Sequence, residues 1–243
     1  MTPEKLLPAV DTIAPMNLLA LETATESCSA ALLTGGRILA RSEIAPRRHA
    51  ELLLPMCEAL LAEAGVRRVD LHAIAVGRGP GAFTGVRLAI SAAQGMALAL
   101  DIPVIPVSSL AALALQAPDN GADVLALIDA RMGEIYAGRF RRTIEGVELL
   151  GDETVSHASA LDLADSETLN VIGTGWTSYR EILMPLMRSP PRWAEGDRYP
   201  QAADVARLAE PIAVRGGGVA PELALPVYLR DKIALTLAEQ QRR

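Results

Sequence analysis

Four glycines fall within nine residues of one apolar stretch: Gly77, Gly79, Gly81 and Gly85 in VGRGPGAFTGVRLAISAAQ, Val76–Gln94. Upstream, Leu71–Gly77 reads as a fully buried strand, and downstream Thr84–Leu100 has helical spacing. The segment is therefore a tight strand-to-helix junction. Glycine there admits positive φ and lets another backbone come close, and Pro80 fixes one dihedral of the turn. Thr84 stands where it caps the helix, whose first-turn amides then face an anion. A phosphate-binding P-loop needs Gly-Lys-Ser/Thr at its end, and Gly85-Val86-Arg87 does not supply it. The dinucleotide spacing fails as well, because Ala82 lies three residues after Gly79. Three readings stay open: a structural turn, a nucleotide or anion contact, and a protein contact.

Around this junction the chain alternates strands and helices. Asn17–Glu22, Ser27–Leu33 and Arg37–Ile44 form an antiparallel meander joined by short turns. A helix over His49–Ala64 is closed by Gly65, and Pro55 inside it is an early-turn proline or a kink. Pro103–Val107 is a strand, and Ser108 or Ser109 caps the helix that follows. The order then echoes itself more weakly: strands Ala122–Asp129, Gly133–Arg142 and Val147–Leu150, a helix Ser156–Ala164, a strand Leu169–Gly173 and a helix Thr177–Met187. Arg188–Pro200 is loop-rich, and a helix over Ala202–Arg215 ends at Gly216–Gly218. This predicts two related α/β lobes meeting near residues 108–121.

Composition sets limits on function. Half of the 243 residues are apolar but only 3% are aromatic, so Ala, Leu and Val must fill the interior. A net charge of −6 argues against a free-standing nucleic-acid binder, which carries a basic face. The arginine pairs 47–48, 67–68, 141–142 and 242–243 are scattered and read as solvated surface. Cys28 and Cys57 lack metal spacing. Met1–Pro15 has no secretory character, and no run of about 20 apolar residues is free of charge and proline. The expectation is a cytoplasmic protein without a membrane segment.

Six segments in consistent order resemble the TsaB (YeaZ) family. GPGAFTGVRLAISAAQGMAL resembles its GPGSFTGxRxGxxxAxGLA signature, and LLALETATESCSAAL its opening strand-turn-strand. RRHAELLLPMCEALLAEAG is similar to its HSxxLLPxIxxLLxxAG helix, PVIPVSSLAALA to a strand and helix start, ALIDARMGEIYAGRF to DARxxEVYxxxY, and PVYLRD to a C-terminal PxYLR. Two departures stand out: Ala82 where serine is usual, and Glu22 in place of aspartate. The resemblance implies an actin-like (ASKHA) fold, α/β with two RNase H-like lobes of mixed β-sheets and flanking helices. It divides the chain into an extension 1–16, a first lobe 17–110 carrying the partner-binding helices, and a second lobe 111–243.

The same resemblance implies a non-catalytic subunit. With a TsaD-like transferase and a TsaE-like ATPase it serves formation of N6-threonylcarbamoyladenosine in tRNA, next to the anticodon. Helices 49–64 and 84–100 are expected to meet the equivalent pair of the TsaD-like subunit, or of a second copy, through Leu53, Met56, Leu60, Ala89 and Ala93. Glu22, Gly79, Gly81 and Thr84 are expected as vestigial nucleotide contacts. No cofactor of its own is implied; ATP or ADP and metal belong to the partner or the shared interface, and tRNA is reached through the complex. The residues agree with this. His49, His72 and His157 form no local metal pair, whereas TsaD-like chains carry a His-x-x-x-His. No serine or cysteine has an identifiable base. The rival is an ATP hydrolase or small-molecule kinase using Glu22, the Gly77–Gly81 loop and Asp129.

Overall fold

The computed structural model describes residues 16–163 and 168–230. The expected extension therefore lies outside the described residues, Met16 excepted. Strands β1 (Leu18–Glu22), β2 (Ser27–Thr34) and β3 (Arg37–Ile44) form the predicted meander. Helix α1 (His49–Ala64) leads to β4 (Ala73–Gly77), helix α2 (Phe83–Leu100) and β5 (Val104–Val107). The five strands pair in the order β3-β2-β1-β4-β5, antiparallel through the meander and parallel from β1 onwards.

The second sheet repeats this plan. After the short helix α3 (Ser109–Ala114) come β6 (Asp123–Arg131), β7 (Glu134–Thr143) and β8 (Gly146–Leu149). Then follow β9 (Thr154–His157), β10 (Leu169–Ile172), helix α4 (Thr174–Leu183), β11 (Trp193–Glu195) and helix α5 (Ala202–Val214). The order β8-β7-β6-β10-β11 matches that of the first sheet, with β9 added on β7. Two mixed sheets with flanking helices are the predicted architecture.

Three local expectations are corrected. The helix expected over Ser156–Ala164 does not form in its described part, up to Leu163: Thr154–His157 pairs with Glu134–Ala137, and Ala158–Ala160 makes a 3₁₀ turn. The β-branched Thr154 and Val155 favour that extended pairing. The helix expected from Thr177 starts at Thr174 and ends at Leu183, where a 3₁₀ turn carrying Pro185 follows. The loop-rich 188–200 segment holds β11. Ser108, by contrast, caps α3 as expected, accepting from the Ala111 amide at 3.1 Å. Pro55 sits within an unbroken α1, and Gly65 ends that helix at φ 66°.

Each face of the first sheet has its own character. Leu19, Leu21, Leu32, Ile74 and Val76 point towards α1 and α2. The alternate residues Leu18, Ala20, Ala31, Ala73 and Ala75 face α5, which answers with Ala202, Val205, Ala206 and Ala209. Burial on both faces explains why these strands read as continuous apolar runs. Small residues on both sides bring α5 close, as an aromatic-poor core requires. Helix α3 joins the lobes, since Ala112 packs with the first sheet while Leu110, Leu113 and Ala114 pack with the second. Helix α2, with 18 residues and mean hydropathy 1.3, is long and apolar enough to cross a membrane. It nevertheless contains Arg87 and buries Val86, Ala89, Ile90, Ala93 and Ala97 against the sheet.

Leu60 is fully buried between α1 and the sheet. Leu60→Ala is expected to lower unfolding free energy by about 2–5 kcal/mol, read from urea unfolding with an unchanged slope.

Candidate functional site

The turn between β1 and β2 and the glycine junction before α2 lie backbone against backbone. A Cβ on Gly85 would stand 2.0 Å from the Thr23 carbonyl oxygen, and one on Gly81 2.3 Å from that of Ala24. The Thr23 hydroxyl donates to the Gly85 carbonyl at 2.7 Å, and the Ala82 amide donates to the Ala24 carbonyl at 2.7 Å. Gly79, at φ 85°, turns the chain so that its carbonyl accepts from the Ser109 amide at 2.9 Å. The loop's own polar groups are thus largely spent on the protein.

Glu22 is sealed beneath this contact, with no solvent exposure. The Ser109 hydroxyl donates to its Oε2 at 2.7 Å and the Ala24 amide to its Oε1 at 2.6 Å. A Cβ on Gly77 would lie 2.0 Å from Oε2, so glycine there makes room for the carboxyl. Burial pushes the Glu22 pKa up, and its hydrogen bonds to Ser109 and the turn amides oppose that only in part.

Beside the junction a cleft of about 210 Å³ opens between the lobes. The β1–β2 turn supplies Thr25 and Glu26, α2 supplies Phe83 and Val86, and the end of β6 supplies Asp129 and Arg131. Glu26 and Arg131 form an ion pair across it. Asp129 accepts from the Arg131 amide at 2.8 Å, the Tyr179 hydroxyl at 3.0 Å and the Ser178 hydroxyl at 3.2 Å. A carboxylate so engaged is held as a structural acceptor. The thiols are equally quiet: burial pushes Cys28 up to about 11 and Cys57 up to about 12, with Glu43 and Glu58 adding to it.

The family model described as TsaD, tRNA N6-adenosine threonylcarbamoyltransferase, matches residues 40–181. The tRNA threonylcarbamoyladenosine biosynthesis protein TsaB of Escherichia coli K12 is 39% identical over 229 residues, covering 90% of this chain and 96% of that protein. Its Haemophilus influenzae counterpart is 33% identical, with 90% and 95% covered. A solved structure described as YeaZ from Pseudomonas aeruginosa aligns with TM-score 0.81 at 46% identity, over 88% of this chain and 100% of that one. The chain belongs to the TsaB family.

Within this TsaB-family fold the five expected partner residues do not lie together at the surface. Leu53, Leu60, Ala89 and Ala93 are buried in the core between the helices and the first sheet. Only Met56 is partly exposed. The reason is geometric: helical spacing identifies an apolar face, and the sheet claims it first. The outward residues are instead Leu54 (51% exposed) and Leu98 (72%). Thr84 is also corrected. Helix α2 starts at Phe83 with Ala82 at the cap position and no side-chain cap, leaving Thr84 exposed in the first turn. Of the expected nucleotide contacts, Gly81 lines the cleft, Gly79 is buried and Glu22 is enclosed.

The C-terminal motif does what its sequence alone did not reveal. Residues 219–230 run as a strap from β5 along α2 and across to the second lobe. Val219 bridges Val104, the Gln94 amide donates to the Ala224 carbonyl at 3.2 Å, and the Val227 amide donates to the Arg78 carbonyl at 3.0 Å. Tyr228 then meets Phe83 and Arg87, and Arg230 donates to the Ala130 carbonyl at 3.0 Å while pairing with Glu134.

Glu22 gives a signed pH prediction. Its folded-state pKa is raised, so its stabilising contribution is full below the unfolded carboxylate range near ~4.3 and is lost as pH rises through the folded value. Glu22→Gln retains both contacts, because the Ser109 hydroxyl can accept from the amide. Urea unfolding from pH 4 to 9 should find variant and wild type nearly equal in acid, with the variant increasingly the more stable towards alkaline pH. A pH-independent difference would exclude this assignment.

Proposed function

We propose that this TsaB-family chain serves N6-threonylcarbamoyladenosine formation in tRNA as a docking subunit that carries out no chemistry itself. The observation that carries the reading is the state of the two carboxylates a kinase-like site would use. Glu22 is enclosed, and Asp129 is engaged by four donors, the amide and guanidinium of Arg131 and the hydroxyls of Ser178 and Tyr179. A general base needs a free carboxylate within reach of its proton. The buried, high-pKa thiols support the same reading.

The partners in this proposal are a TsaD-like transferase and a TsaE-like ATPase, with a second copy of the chain as an alternative occupant of the same helices. Metal and ATP or ADP belong to those partners or the shared interface. Transfer RNA is reached through the assembly, in keeping with a net charge of −6, and the setting is the cytoplasm. Helices α1 and α2 leave Leu54, Leu98 and part of Met56 exposed, and this reading takes these residues as part of the partner contact. The rival reading, an ATP hydrolase or small-molecule kinase, is separated by titrating the isolated protein with Mg-ATP. Tight binding and turnover would favour the kinase. Reconstituting tRNA modification from purified transferase and ATPase, with and without this chain, tests the docking role directly.

Substitutions sharpen the test. Leu54→Arg and Leu98→Arg together should leave the thermal transition within a few degrees of wild type, because both sites are exposed. They should weaken co-purification with the transferase tenfold or more. Ala89→Arg should instead prevent folding, because it forces a charge into a fully buried site. Undiminished co-purification of the double variant would remove α1 and α2 from the contact.

A further inference from the structure

Five arginines among the described residues are only partly exposed: Arg78, Arg87, Arg139, Arg142 and Arg230. Four have an acceptor. Arg78 pairs with Glu153, Arg139 with Asp123 and Arg230 with Glu134, and Arg142 donates to the Leu115 carbonyl. Arg87 has none among the described residues, and its Nη1 is buried without a hydrogen-bond partner. Its guanidinium is nonetheless held in place, with Cζ 3.1 Å from the Phe83 ring centre and 4.7 Å from that of Tyr228. The rings, 6.1 Å apart, are 49% and 48% exposed. Both line the rim of the inter-lobe cleft, on the side of α2 that carries the strap.

With its Nη1 end enclosed, a planar cation fixed between two half-exposed rings presents its Nε–Nη2 edge, which matches a planar, two-oxygen anion. We infer that Phe83, Arg87 and Tyr228 form a receptor for a carboxylate side chain of a partner protein, flanked there by apolar residues. Protein carboxylate fits the surroundings better than phosphate. The adjoining cleft presents Glu26 and Asp129, and its nearest other cations, Arg131 and Arg230, are already in ion pairs. A nucleic-acid backbone would find no run of free basic groups to follow. Half-exposed Phe and Tyr around an Arg match the composition of protein interface centres.

This inference rests on the docking reading above and adds a second contact, at the cleft end of α2. The test is calorimetric titration of the full chain against the purified TsaD-like transferase subunit, with wild type, Arg87→Gln, Arg87→Lys and the Leu54→Arg/Leu98→Arg pair. Titrations are made below each variant's thermal transition, so that all are folded. Arg87→Gln should lose about tenfold or more in affinity, and Arg87→Lys should recover part of it, since it keeps the charge without the fork. Raising salt from roughly 50 to 300 mM should weaken wild type more than Arg87→Gln. Wild-type affinity in Arg87→Gln, with binding lost in the Leu54→Arg/Leu98→Arg pair, overturns this inference and leaves the docking reading intact. No wild-type binding removes both. In a parallel filter assay with tRNA, loss of RNA retention in Arg87→Gln while transferase binding stays normal overturns the carboxylate assignment in favour of phosphate.

Discussion

The carbonyl oxygens of Thr23 and Ala24 occupy the space that side chains at positions 85 and 81 would need. That single backbone-to-backbone approach ties the first turn of the meander to the start of α2. It also closes the lid over Glu22 and sets one wall of the inter-lobe cleft. Glycine here answers a demand for nearness, and the left-handed backbone of Gly79 is a separate matter. Of the three readings the sequence left open for this junction, a structural turn accounts for every hydrogen bond described there.

Much of this was written in the residues. Leu18–Leu21 and Ile74–Val76 lack polar alternation because helices cover both faces of their sheet, so the strands were plain and so was the repeated lobe plan. What escaped were matters of orientation. The spacing of Leu53, Leu60, Ala89 and Ala93 identifies a helix face without saying what lies opposite, and the sheet proved to be the nearer partner. The stretch from Ser156 holds alanines and leucines at helix-like intervals, yet β7 offered an unpaired edge and extended pairing won. Thr84 looked like a cap because threonine often is one. The helix began one residue earlier, on a phenylalanine whose ring has other work at Arg87. The strap was invisible because the contacts that place it are long-range.

An interior nearly without aromatic rings has a physical cost and a return. Alanine contributes little buried area, so stability depends on how closely the layers approach. On the α5 side of the first sheet small residues face small residues, and the helix sits low enough to exclude water. The few large rings are divided between core and surface: Phe140 and Trp176 are buried in the second lobe, while Tyr228 lies on the strap.

Helix α5 has a consequence for how the chain comes into being. The sheet it covers is built from residues 18–107, while the helix itself spans 202–214. During synthesis the first lobe therefore completes its strands with one apolar face bare, and that face waits for about a hundred further residues to emerge. The amino-terminal half is not a self-sufficient early folding unit. A chain cut short before Ala202 would leave that face of the sheet open to its neighbours.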